Sequence, residues 1–295
     1  IGVSHPPSPR APRSLPPSSN TFAKSRRAAI AVTVVGLWLV GLLLMARRNA
    51  NRSESEQLAE VALRIQPATF YYIVERNGQQ IGSASSAIDT TVGNLVSEEY
   101  FVGDAPVGNG QTTERTSARW QTTLSRGFRM QRSAIGITRA TRPFIIRAAV
   151  HDDTTLVVAL AGAMSGPAPV ELPLVPPVFT PALAPIAFML GGPHEVGRTQ
   201  TMSVFDPTTR TVLRPELKIH AESLFTVIDS AALNTKGEWA VAHRDTVRAW
   251  RIEGAPGGLS AWVDADGRVV TARLGNGLSV TRTAFEIAYR NSPKK

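Results

Sequence analysis

A mainly β protein is predicted, with one N-terminal transmembrane helix followed by an extramembrane domain built on an antiparallel curved sheet or barrel. Three observations carry this. Residues Ala28 to Ala46 hold neither charge nor proline, and arginines bracket them at 26–27 and 47–48. Nineteen residues at ~1.5 Å each make a helix of roughly 28 Å, close to the hydrocarbon thickness of a bilayer. From Ala68 onward the apolar period changes from helical to alternating, with turn residues at hairpin spacing. Cysteine is absent, which removes disulfides, thiolate metal sites and a cysteine nucleophile together. The part after the span, about 240 residues, is long enough to rely on an apolar core instead.

Residues 1–27 form a Pro-rich arm. HPPSPRAPRSLPPSS carries six prolines and almost no large apolar side chain, so extended polyproline II is its default. The formal charge of +9 is concentrated here: residues 1–53 contain eight Arg and Lys and no acid, leaving 24 basic and 23 acidic residues for the rest. The basicity is thus a membrane feature, and no nucleic-acid partner is expected. Five basic residues precede the span and three follow it. The bias places the N-terminus in the cytoplasm and the large domain in the periplasm, on an inner-membrane anchor. A cleaved signal peptide fits less well, because the apolar run is long and no small-x-small site follows it directly.

Within the span 28–46, Ala29, Thr33 and Gly36 form one stripe of small residues along which a second helix can approach closely. Trp38 sits near the bilayer midplane, whereas tryptophan prefers the interfaces. Either it faces lipid at modest cost, or it contacts another helix or a membrane-embedded pigment. Residues 47–67 read as a connection. Ser53 and Glu56 have capping-box spacing, and Leu58, Val61, Ala62 and Ile65 recur at helical intervals, so a helix is predicted over 54–66, ended by Pro67.

The domain proper spans 68–295. ATFYYIVE, then Arg76-Asn77-Gly78-Gln79, then QIGSASSAID reads as a hairpin on an Asn-Gly turn. Further strands are predicted near 94–102, 112–122, 125–132, 142–150 and 154–160. A second set follows near 199–205, 210–220, 223–228, 236–243, 246–253, 259–264, 268–274 and 278–283, and Ala284–Arg290 reads as a short helix. Some dozen strands at this spacing argue for an antiparallel barrel or strongly curved sheet. Between the sets lies a Pro-rich apolar loop, 161–194. Glu171 is the only charge from Thr154 to His194, and seven prolines fall between Pro167 and Pro185. Proline removes sheet donors, so loop and short helix are expected, with Leu172, Leu174, Val175, Val178 and Phe179 as the apolar contact residues. Such a segment is either buried as a plug on the concave face or covered by a membrane or partner.

Chemistry-bearing patterns are missing. The five histidines show no metal-ligand spacing, and His151-Asp152-Asp153 reads as a charged turn. Asp264-Ala265-Asp266-Gly267 begins like a calcium loop, but position twelve is Gly275 rather than Glu, so it reads as a hairpin turn. No GxSxG, P-loop or GxGxxG is present, and Trp120, Trp239, Trp250 and Trp262 sit in strand patterns as core candidates. Neither a catalytic residue, a cofactor nor a metal is expected.

The run Tyr72 to Gly82, with Val204-Phe205-Asp206-Pro207 and Ala261 to Gly267, resembles the β-rich domain that precedes the catalytic part of some bacterial transglutaminase-like proteins. That type is similar to lipoprotein-carrier folds, which wrap a curved sheet around an apolar cavity. The family's catalytic cysteine has no counterpart here, so the resemblance implies the non-catalytic module alone. In layout the chain also resembles accessory subunits of respiratory or photosynthetic membrane complexes. The function expected first is therefore a non-enzymatic single-pass subunit that docks on and stabilises an integral membrane protein complex. A periplasmic carrier or sensor binding a lipid or other apolar ligand is the second. Solubilised in mild detergent, the chain is expected to co-migrate with partner proteins on native gels; a lone monomer there counts against the docking expectation.

Overall fold

The computed structural model describes residues 38, 40–42, 54–107, 112–162, 168–174, 176–255, 259–274 and 277–289. By its contacts the chain divides into two units, 1–53 and 54–295. In the first unit Trp38, Val40, Gly41 and Leu42 are helical and exposed. The Pro-rich arm and the rest of the expected span, including Ala29, Thr33 and Gly36, lie outside the described residues. Among the described residues no helix is long and apolar enough to cross a membrane.

The second unit begins with helix α1 (Glu54–Arg64). One wing of a sheet follows: β1 (Ala68–Arg76), β2 (Gln79–Thr91), β3 (Asn94–Val107), β4 (Thr112–Ser125), β5 (Met130–Arg139), β6 (Arg142–His151), β7 (Thr155–Gly162) and β8 (Val170–Pro173). The chain then leaves the sheet through β9 (Val178–Phe179) and helix α2 (Ala184–Leu190). It touches the sheet at β10 (Thr199–Thr201) and leaves again through β11 (Ser203–Asp206) and β12 (Thr211–Leu213). The second wing comprises β13 (Glu216–Leu233), β14 (Trp239–Ala255), β15 (Leu259–Val263), β16 (Val269–Arg273) and β17 (Leu278–Thr283), with helix α3 (Phe285–Tyr289) at the end.

Fourteen strands make one antiparallel sheet in the order β10-β13-β14-β15-β16-β17-β1-β2-β3-β4-β5-β6-β7-β8, while β9, β11 and β12 form a small separate sheet. Consecutive strands pair almost throughout, as alternating patterns joined by tight turns require. The two wings are joined where the first strand meets the last, Tyr72 opposite Arg282 and Val74 opposite Val280. The large sheet ends on two short strands, β8 and β10, so the barrel does not close on itself.

Curvature is visible in what the concave face encloses. One core cluster joins Leu58 of α1, Ile88, Leu95 and Leu124 of the first wing, Phe179 and Phe188 of the proline-rich stretch, and Leu217, Ile219, Trp250 and Val263 of the second wing. A second cluster joins Met130, Ile146, Leu156 and Val158 with Leu174, Val178 and Phe205. The apolar stretch is therefore a plug: Leu183, Phe188 and Met189 are fully buried, and Phe179 stacks obliquely on Phe128 at 5.8 Å. Burying each such side chain contributes roughly 1.5–3 kcal/mol, which no solvent-facing loop position supplies.

Most of the expected hairpins appear, with instructive differences. Asn77 and Gly78 both take positive φ (51° and 81°), the two-residue turn that matches strand twist. The predicted strand 125–132 is instead split by a turn at 126–129, because β4 continues to Ser125 and Phe128, at φ 57°, turns its ring into the core. Of the strands predicted at 210–220, 223–228, 236–243 and 246–253, the start of the first is the short β12 and the rest merge into two long strands, β13 and β14. Glu222, Arg244 and Asp245 interrupt the apolar alternation without interrupting the ladder, and Glu222 pairs with Arg248 across it at 3.1 Å. The ribbon β13–β14 carries exposed Leu224, Leu233 and Trp239.

Two glycine sites set close approaches. Gly82 and Gly103 face each other across β2 and β3, and the ring of Phe101 lies over the space their missing side chains leave. Gly267, at φ 77°, lets the β15–β16 turn press on α2: a Cβ there would lie 2.4 Å from the Ile186 Cα. Replacing Phe188 by Ala is expected to lower stability by about 3–5 kcal/mol in denaturant titration of the full chain, whereas Leu224→Ala should stay within ~0.5 kcal/mol.

Candidate ligand cavity

The plug does not fill the concave face completely. Beside it, enclosed by β1 to β5 on one flank and by β16, β17 and the β15–β16 turn on the other, lies an open cavity of about 510 Å³. Its walls follow from the period of two. In β3, Leu95, Ser97, Glu99, Phe101 and Gly103 share the inward register, so Glu99 and Phe101 line the space, while Glu98 alternates to the other face and Tyr100 only borders the cavity. The same register brings Ala84 and Ser86 from β2, Ala118 and Trp120 from β4, and Ile135 and Ile137 from β5. Val269, Ala272 and Val280 come from the second wing, and Ala182 and Ile186 from the plug.

Few polar groups interrupt this lining. The Trp120 indole N–H donates to the Ser133 hydroxyl at 2.6 Å, which also lies 3.2 Å from the Thr122 hydroxyl, so the ring is held in place. Tyr72, Glu99 and Arg268 are the cavity's titratable groups apart from Tyr100. Burial pushes the Tyr72 phenol above its usual range, so it stays a neutral hydroxyl. Glu99 accepts from the Ser97 hydroxyl through Oε1 at 2.6 Å, while its Oε2 is sealed from solvent without a partner. Desolvation outweighs that hydrogen bond and the Arg268 charge, and raises its carboxyl to about 7.

Arg268 is 5% exposed, and its Nη1 is buried with no hydrogen-bond partner. Burial lowers its pKa, against the opposing charges of Asp264, Asp266 and Glu99; a guanidinium remains charged regardless. Its position is set by the Asp264–Gly267 turn, where Asp264 Oδ1 accepts from the Asp266 and Arg268 backbone N–H groups and Oδ2 accepts from Arg282 at 2.8 Å. Arg282 in turn stacks over Phe70 at 4.7 Å. The turn that resembles a calcium loop in sequence thus spends its first carboxylate on its own backbone and on Arg282. Among the described residues no group of three His, Asp or Glu side chains converges as a metal site.

Of the apolar residues expected to make contacts, Val178 and Phe179 are buried in the core, Leu174 is buried and Leu172 half-buried beside them, and Val175 lies outside the described residues. None of the described four lines the cavity; from the same segment Ala182 and Ile186 do. Trp38 is 67% exposed in its own unit. Of the tryptophans read as core, Trp250 is buried, Trp120 lines the cavity, Trp262 packs against Phe225 at 4.9 Å, and Trp239 is 37% exposed. His151 pairs with Asp152 at 3.0 Å in an exposed turn. Glu99, Tyr72 and Arg268 escaped the sequence reading, although a carboxylate in register with Leu95 and Phe101 is a legible oddity.

No known family and no curated protein matches the chain. Among solved structures it is similar to a β-barrel-like protein of the domain of unknown function DUF1849 from Brucella abortus, at 14% identity over 74% of this chain and 95% of that one, with a TM-score of 0.46. It is also similar to a DUF1089 family protein from Pseudomonas aeruginosa, at 7% identity over 63% and 87%, with a TM-score of 0.33.

Glu99 gives the domain a defined pH response. Its folded-state pKa lies above the unfolded value near 4.5, so its contribution is fully present below that value and is lost as pH rises through about 7. Stability should fall between about pH 5 and 7 by at most ~3 kcal/mol, less where solvent enters the open cavity, and Glu99→Gln should flatten the slope in unfolding measured across that window.

Proposed function

We propose that the chain is a membrane-tethered, non-catalytic binding protein whose curved sheet takes a lipid or other apolar ligand. In this reading residues 28–46 hold it in the inner membrane, with the arm in the cytoplasm and the domain in the periplasm. The observation that carries the proposal is the cavity. About 510 Å³ is within the range of small-molecule sites, and its lining is apolar except at one end. A single domain of this size has no packing reason to leave such a space beside a plug whose own side chains are fully buried.

A second reading has its own support. Leu224 at 66% and Leu233 at 59% exposed stand on the β13–β14 ribbon, with Trp239 directly opposite Leu233 at its end. An accessory subunit that docks on an integral membrane protein complex, of respiratory or photosynthetic type, would use such side chains on the domain and the stripe Ala29, Thr33, Gly36 and Trp38 in the span. A pigment contact at Trp38 belongs to this reading.

Solvent extraction of the purified full chain followed by mass spectrometry is expected to recover one apolar ligand class near one per chain. Ala118→Trp and the milder Ile137→Phe, which fill the cavity, should lower that recovery several-fold while bulk membrane lipid in the same extract stays constant. Equal recovery from wild type and both variants would overturn the cavity reading.

A further inference from the structure

Resting on the cavity reading, we infer that the ligand is a single-chain amphiphile with an anionic oxyacid headgroup, held by Arg268 at the polar end of the cavity and by a protonated Glu99, with its alkyl chain along Phe101, Trp120, Ile135 and Ile137. Two buried polar atoms at that end lack partners, Nη1 of Arg268 and Oε2 of Glu99. They are not paired with each other, and a buried orphan costs about 1–3 kcal/mol, more when charged. A headgroup oxygen accepting from both would satisfy the two at once.

The sign of the headgroup follows from which charge is permanent. Arg268 keeps its charge at every physiological pH, whereas Glu99 can shed its own by taking up a proton near neutrality. The other charged groups nearby are already engaged. Arg282 of β17 is paired with Asp264 of the β15–β16 turn, and Glu98, beside Glu99 in β3, pairs with Arg119 of β4 at 2.7 Å. Tyr72 of β1 stays a neutral hydroxyl, Asp266 lies exposed in the same turn as Asp264, and the residues opposite Glu99, Ser86 and Trp120, do not titrate. With Glu99 neutral, the end of the cavity is net positive; with Glu99 ionised, its carboxylate opposes an anion. Above about pH 7 binding therefore takes up one proton, and affinity should fall roughly 30-fold between pH 6 and pH 8.5 for a group titrating near 7.

The test uses the full chain in lipid nanodiscs and three photoreactive probes with the same diazirine-bearing alkyl chain: a sulfonate, an alcohol and a quaternary ammonium. None of the three headgroups titrates between pH 6 and 8.5, so any pH dependence belongs to the protein. Labelling of peptides from β3, β4 and β5 is read by mass spectrometry. The sulfonate is expected to label them at least tenfold more than the other two at pH 6, and to weaken at pH 8.5. Glu99→Gln should keep sulfonate labelling at pH 8.5, and Arg268→Gln should lose it at both values, with thermal unfolding reporting that each variant is folded. Should Arg268→Gln fail to fold, Glu99→Gln and the headgroup comparison still decide. Equal labelling by all three probes, or preference for the ammonium, overturns the headgroup assignment and leaves the cavity reading standing. No labelling of these strands by any probe overturns both.

Discussion

The structure depends on one demand, that the concave face of a fourteen-stranded sheet be covered. Alternating strands put an apolar face inward on both wings, and a sheet this long cannot bring its two faces into mutual contact along its whole length. The chain meets the demand with its own middle. Residues between β8 and β13 leave the ladder, carry Phe179, Leu183, Phe188, Met189, Val204 and Phe205 into the hollow, and return. Two of the three core clusters contain residues of this plug, and the larger one spans both wings, so wings joined in the sheet by the β1–β17 ladder also share a common filler.

The placement of polar groups follows from the same packing. The β15–β16 turn must come close to α2, and glycine at 267 permits it. That approach carries Arg268 into an apolar neighbourhood, where Phe70 lies against the guanidinium at 5.7 Å and Asp264 fixes the turn from below. On the far side, α3 covers the outer face of β1 and β2: Tyr71 meets Phe285 edge-on at 5.0 Å, and Ser83 and Gln80 donate to the Ala288 carbonyl at the helix end. The middle of the sheet is thus covered on both faces, by α3 outside and by the plug inside, and the cavity opens beside the plug.

Local chemistry made much of this legible. Asn77-Gly78 announced its turn, the run of seven prolines excluded a central strand, and Leu58, Ala62 and Ile65 marked the face α1 buries. Errors came where tertiary packing overrules local pattern. Phe128 sits in a turn because the core wants its ring, and Glu222 or Asp245 stays in a strand because the ribbon's exposed face tolerates charge. The cavity was the least legible feature. Its walls are assembled from residues as far apart as Tyr72 and Val280, and only the curl of the sheet makes them neighbours. Glu99 alone carried a local signal, through its shared register with Leu95 and Phe101.

Strand β1 lies at the seam between the wings, and its second neighbour is β17, more than two hundred residues later in the chain. During synthesis β1 to β8 can zip as hairpins soon after they emerge, but the free edge of β1 stays open until β17 has been made. Ribosomal timing therefore enters the folding problem: a chain that stops short of Leu278 leaves β1 with an unpaired ladder in the middle of the sheet. Such a nascent chain needs shelter for most of its translation, and a species halted before β17 is the one quality control must recognise.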